Sequence, residues 1–144
     1  MLLGEYEHTI DEKNRLILPA KFRQAFDEGL VLTRGIERCL SAYPRGNWSE
    51  TVESRLEKLD QLSREGRLMQ RYFYSGASEA ELDRQGRVMV PAPLSEYAGL
   101  GKEVVVVGIR DHLEIWDRAA WRAHLDEIEG SAEDVAERLA TKRD

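Results

Sequence analysis

A chain of 144 residues with 42% hydrophobic content buries one shared core or two small ones, and no apolar run in it approaches the length of a membrane span. One cysteine, Cys39, excludes an intrachain disulfide; with no histidine or second cysteine at ligand spacing, it reads as a small buried apolar residue. A net charge of −6 excludes a surface that is basic throughout, although a nucleic-acid footprint needs only one basic face.

Met1-Leu2-Leu3 runs straight into Gly4-Glu5-Tyr6-Glu7, unlike a signal peptide, so a soluble, cytoplasmic protein is expected. Glu5 to Ile10 and Leu16 to Leu18 read as strands around a polar turn, with Asn14 placed to take the left-handed conformation that Asn accepts more readily than most residues. Asp11 can cap this turn through its carboxylate, and Arg15 stands where the chain leaves it. Pro19 ends backbone pairing because it has no N–H to donate, and a short helical segment, Ala20 to Phe26, follows. From Asp11 to Arg23 four basic residues (Lys13, Arg15, Lys21, Arg23) stand against two acidic ones, so this stretch is locally basic. Leu30 to Thr33 and Leu40 to Tyr43 read as strands around a turn at Gly35. A helix capped by Asn47 or Ser49 follows, with Val52, Leu56, Leu59 and Leu62 as one apolar stripe. In Arg64 to Tyr74 basic and aromatic residues interleave, as on a single-stranded nucleic-acid platform. The preferred reading there is a helix that packs Leu68, Met69, Tyr72 and Phe73 inward, because Glu65 and the segment Ser75 to Glu81 dilute the charge.

The pattern then recurs. Asp83-Arg84-Gln85-Gly86-Arg87-Val88-Met89-Val90-Pro91 repeats Asp11 to Pro19 at a distance of 72 residues: Asp, three residues, Arg, three apolar residues, Pro. Gly35-Ile36 with Gly108-Ile109, Leu40 and Tyr43 with Leu113 and Trp116, and Trp48 with Trp121 continue it at 73. Gly86 in the Asn14 position strengthens the left-handed turn reading. The second half is expected to give a helix from Pro93 to Ala98, a strand of four valines, Val104 to Val107, buried on both faces, a turn at Gly108 and a strand from Leu113 to Trp116. A helix capped by Asp117 follows with Ala120, Trp121, His124, Leu125 and Ile128 inward, then a separate last helix, Ala132 to Leu139, that docks on a partner or frays. From Asp117 to Asp144 acidic residues outnumber basic ones eight to five. Two units are therefore expected, 1–76 and 77–144, each of strands followed by helix and each leaning on the other for its core.

Catalysis is disfavoured. His8, His112 and His124 lie in unrelated segments without triad or metal-ligand spacing, and Gly99-Leu100-Gly101-Lys102 lacks the full phosphate-loop spacing and reads as a turn. No cofactor or metal is expected.

Along almost its whole length the chain resembles the MraZ family, bacterial regulators of the division and cell-wall gene cluster. The resemblance rests on Asp11, Lys13, Arg15, Leu16 and Pro19, on Asp83, Gly86, Arg87 and Pro91, and on Gly99-Leu100, Lys102-Glu103-Val104, Val107-Gly108 and Glu114-Ile115-Trp116. It implies an α+β, mainly β fold: a duplicated double-split β-barrel of the AbrB-like swapped-hairpin type with peripheral helices. It also implies a nucleoid-associated ring homo-oligomer that binds direct repeats in double-stranded promoter DNA, chiefly as a repressor of its own operon, so that weak contacts add by multivalency. The family usually has glycine where this chain has Asn14.

Residue chemistry picks the contacts. An Arg fork takes a guanine edge or clamps a phosphate, and Lys suits a phosphate. Lys13, Asn14, Arg15, Arg84 and Arg87 are the candidate DNA-contacting residues. The first loop leads, because the second has Gln85 in the place of Lys13 and moves its charge to Arg84. Asp11, Asp83, Gly86, Pro19 and Pro91 read as turn-structuring residues. The alternative from another class is a ring-forming scaffold or protein-interaction module without DNA; salt-dependent promoter binding separates the two.

Overall fold

A computed structural model describes residues 1–142, so Arg143 and Asp144, counted above in the second unit and in the charge balance, lie outside the described residues. The first half gives β1 (Leu2–Thr9), β2 (Arg15–Ile17), a 3-10 turn (Ala20–Phe26), β3 (Leu30–Arg34) and β4 (Leu40–Pro44). A helical run follows, made of α1 (Arg45–Asn47), a wider turn (Trp48–Glu53) and α2 (Ser54–Glu57), then α3 (Arg64–Gly76). The second half gives β5 (Ser78–Ala80), β6 (Arg87–Met89), α4 (Ala92–Ala98), β7 (Glu103–Arg110), β8 (Leu113–Asp117) and α5 (Arg118–Lys142).

The fold is α+β, built on an antiparallel six-stranded sheet, β1-β7-β8-β4-β3-β5, with β2 and β6 forming a separate two-stranded ribbon. The halves exchange edges: β1 pairs along its whole length with β7 (Leu2 with Arg110 through Thr9 with Glu103), and β5 pairs with β3. Two pairings are self-symmetric. Leu16 faces Val88 in the ribbon and Ser41 faces Glu114 in the sheet, each joining equivalent positions of the repeat, so a pseudo-twofold axis runs through both.

Strand alternation sends Leu30, Leu32, Leu40, Ala42, Val104, Val106, Leu113 and Ile115 to one face of the sheet, where they meet Leu16, Leu18, Val88 and Val90 beneath the ribbon. Phe22, Phe26, Leu94 and Ala98 from the two short helices complete this core. The other face of the sheet is covered twice in the same way. Trp48, Val52 and Leu56 pack on Val31, and Trp121 with Leu125 on Val105, Val107 and Trp116. The four valines are buried on both faces, as expected of such a run. Cys39 is 1% exposed under α5, and burial, helped by the charge of Glu114, pushes its thiol up to about 12.

Several local expectations are corrected. The helix after β4 starts at Arg45, behind Pro44 with φ −53°, so neither Asn47 nor Ser49 caps it; Asn47 Nδ2 donates to the Asp111 carbonyl instead, and Ser49 Oγ to Glu53. Leu62 lies past the end of the run and is 90% exposed. On α3, capped by Ser63, Tyr72 and Phe73 do pack and the Tyr72 hydroxyl donates to the Gly35 carbonyl at 2.6 Å, but Leu68 is exposed. Gly108 is no turn residue: it pairs with Leu113 inside the ladder, where a Cβ would lie 2.5 Å from the Leu2 and Leu3 backbone of β1. Asp117 does face the first turn of α5, accepting from Ala120 N–H at 3.4 Å. Ala120 and Ile128 are exposed rather than inward, and the separate last helix is absent, because α5 passes unbroken through Gly130-Ser131.

Candidate nucleic-acid interface

The two Asp-to-Arg turns match bond for bond. Asp11 Oδ1 accepts from the N–H groups of Lys13 and Arg15, both at 2.9 Å, and Oδ2 accepts from Arg15 Nε at 2.7 Å. Asp83 holds Gln85 and Arg87 in the same way, at 2.9, 2.9 and 2.8 Å. Each loop is then closed by its backbone, with Asp11 N–H donating to the Arg15 carbonyl at 3.0 Å and Asp83 N–H to the Arg87 carbonyl at 2.9 Å. Each carboxylate therefore organises two amides and aims one guanidinium, while that guanidinium's bond to the Asp uses only Nε.

The hydrogen bonds also fix the charge of the turns. Both carboxyls are held below the ordinary Asp range, first by the backbone N–H of Arg15 or Arg87; desolvation is the next largest effect and opposes this, and the hydrogen bond from that arginine's side chain adds to the lowering. A lowered pKa stabilises the fold above the unfolded value of about 3.9 and ceases to do so as pH falls through the folded value. The turns are thus expected to keep their shape across neutral and mildly acid pH. Carboxyl 13C titration should place the midpoints of Asp11 and Asp83 below about 3.9, and midpoints at or above that value would contradict the bonding described.

Both turns use a left-handed residue, Asn14 with φ 59° and Gly86 with φ 77°. The asymmetry has a cause in packing: Asn14 is exposed, whereas Gly86 is buried with Arg23 across it, so that a Cβ would lie 2.3 Å from Arg23 Nε. Arg23 Nε donates to the Leu18 carbonyl at 3.1 Å, and the position equivalent to Arg23 in the second half is the short Ser95. Gly86→Asn is expected to cost about 1 kcal/mol, chiefly by displacing that hydrogen bond. In an Arg23→Ala background the cost should mostly vanish, as urea denaturation of the four variants would show.

The ribbon brings the turns together. With Leu16 and Val88 buried, the alternating neighbours Arg15, Ile17, Arg87 and Met89 all face outward. Arg15 pairs with Met89 and Ile17 with Arg87, which leaves the two arginines two residues apart across one ladder, roughly 8 Å between Cα atoms. Leu18 N–H donates to the Gly86 carbonyl and Val90 N–H to that of Asn14, so each strand's end is tied to the opposite loop before Pro19 and Pro91 stop the pairing and begin the short helices. Lys13 and Asn14 lie exposed at one end of the ribbon, Arg84 and Gln85 at the other. Ile17 and Met89 were missed on this face from the sequence, because an apolar triplet does not say which of its members points out.

The family model described as "MraZ protein, putative antitoxin-like" matches residues 1–71 and again residues 73–143. Over 143 residues, 99% of either chain, the sequence is 46% identical to the protein of Roseiflexus castenholzii named Transcriptional regulator MraZ. A match that covers both repeats, together with a relative this similar along its full length, shows that the chain belongs to the MraZ family.

Proposed function

We propose that this protein is a sequence-specific DNA-binding transcriptional regulator, acting as a repressor of the division and cell-wall gene cluster in which it is encoded. It is no enzyme. The observation that carries the reading is the pairing of β2 with β6, which sets both Asp-pinned arginines on one exposed two-stranded ribbon. The major groove admits a ribbon of this kind, and a separation of roughly 8 Å matches two to three base-pair steps of 3.4 Å. Arg15 reads a base edge in this account, with Arg87 beside it, while Lys13, Asn14 and Arg84 hold the flanking backbone. Asp11, Asp83, Gly86, Pro19 and Pro91 set the shape of the loops.

The repeats 1–76 and 77–144 are, on this reading, duplicated AbrB-like units that now share one core. Several chains form a ring in the cytoplasm, associated with the nucleoid, and present one ribbon each to successive direct repeats of the promoter, so that individually weak contacts sum. The name of the Roseiflexus relative supports the regulatory role. The test is binding and footprinting on the DNA upstream of the protein's own gene at several salt concentrations. A protected set of short repeats, with log affinity falling linearly with log salt, is expected. A ring scaffold that binds only protein would show neither.

A further inference from the structure

Beyond Leu125, α5 leaves the body, and every residue from Asp126 to Lys142 is exposed. The docked side chains Trp121 and Leu125 nevertheless continue into Ile128, Ala132, Val135 and Leu139 at alternating spacings of four and three. At 3.6 residues per turn these six positions fall within an arc of about 80°. A stripe of 3.5-residue period with no sheet beneath it has the spacing of a helix-pair seam. Solvent alone supports such a segment poorly: Gly130 and Ser131 in its course are weak helix formers, and a free helix of this length is marginal in water.

Charge selects the occupant of the seam. Between Asp126 and Glu137 the helix holds six acidic residues and no basic one, and Arg138 and Lys142 follow. Among the described residues the ionisable side chains of α5 that lie within 4.0 Å of an oppositely charging group are Arg118, Arg122, His124 and Glu127, all near its docked end, the last only through the His124 ring at 3.8 Å. We propose that the projecting half of α5 pairs with the same segment of a second copy in antiparallel orientation, Ile128 against Leu139 and Ala132 against Val135. Arg138 and Lys142 of each helix then lie alongside Glu127 of the other, on the flank of the stripe that all three share. A parallel pair would set six acidic residues against six. The pairing rests on the self-assembly part of the proposed function and names one surface of it: an antiparallel pair of identical segments is twofold and joins two copies, so a ring of several chains closes through a further contact; DNA contact by the ribbon does not depend on it.

Cysteine cross-linking reads the orientation. Under mild oxidation the Ile128→Cys/Leu139→Cys double variant is expected to run as a disulfide-linked dimer, while Ile128→Cys and Leu139→Cys alone, whose thiols lie eleven residues apart along an antiparallel pair, remain single chains. Unmodified protein is the control for Cys39, which is buried. In parallel, light scattering should show Val135→Glu/Leu139→Glu at half the mass of the unmodified assembly or less, with the thermal transition of the body retained. Dimers from either single variant, no dimer from the double variant, or an unchanged mass each overturn the proposal. An unchanged mass above that of one chain leaves self-assembly standing and removes α5 from it, so that another protein or the body of a neighbouring copy covers the stripe. An unmodified protein with the mass of one chain at micromolar concentration removes self-assembly as well.

Discussion

Leu16→Ala should lower the unfolding free energy by about 2–5 kcal/mol, the range for truncating a leucine in a core that cannot collapse around the gap. Leu16 is fully buried at the centre of the ribbon, facing Val88 on the pseudo-twofold axis, and rests on the sheet face that holds Leu30, Leu40, Val104 and Ile115. Both strands of the ribbon have only three paired residues, so neither can shift to refill the space without losing its ladder. Val88→Ala at the equivalent position removes one carbon fewer and should cost about 1–3 kcal/mol. The two substitutions open one shared cavity, and the double variant should therefore differ from the sum of the singles. Urea unfolding at fixed protein concentration gives all three values, the concentration being held because assembly itself shifts apparent stability. A loss below about 1 kcal/mol for Leu16→Ala would mean that the ribbon is not what closes the core.

The duplication was legible because its residues answer to local chemistry. An Asp that caps its own turn, a left-handed residue three positions on, an Arg at the exit and a Pro that ends pairing make the same demands wherever they occur, and both copies make the same bonds. Strand partners answer to nothing local. Pairing of β1 with β7 and of β5 with β3 joins residues far apart in sequence, and a run such as Val104 to Val107 fits any interior strand. Gly108 shows the same limit: a glycine needed for close strand approach looks, in sequence, like a glycine needed for a turn. Helix ends were misjudged where one local preference outweighed another. Pro44 starts its helix a turn before Asn47 or Ser49 could cap it, and a single Gly130, at about 1 kcal/mol, does not stop α5.

The site divides along the same line. The shape of each loop follows from its own residues, but the meeting of Arg15 with Arg87 on one ribbon depends on β2 pairing with β6, a long-range event. The ranking of the loops changes meaning as a result. Each loop brings two basic residues, Lys13 and Arg15 at one end of the ribbon and Arg84 and Arg87 at the other, and Arg87 now belongs to the same surface rather than to a second, weaker site.

Arg15→Ala is accordingly expected to weaken specific promoter binding by about 1–3 kcal/mol, roughly 5- to 150-fold, if its fork reads a base edge. Lys13→Ala should weaken all DNA about equally and reduce the salt slope by about one, as loss of a phosphate contact does. Arg87→Ala should matter less, because its loop offers Gln85 where the first offers Lys13. Arg15 also holds Asp11 through Nε, so a loosened turn could mimic a lost contact. Arg15→Lys separates the two: it keeps a charge near Asp11 and near phosphate but has no planar fork, and should lose promoter affinity while keeping most of its affinity for unrelated DNA, so that discrimination between them falls. Assembly mass and the Asp11 carboxyl titration, measured on each variant, show whether ring and turn survive. If Arg15→Ala retains promoter affinity with both intact while Arg87→Ala loses it, the second repeat is the reader. The charge of Lys13 would then guide the ribbon to DNA without placing its neighbour on a base.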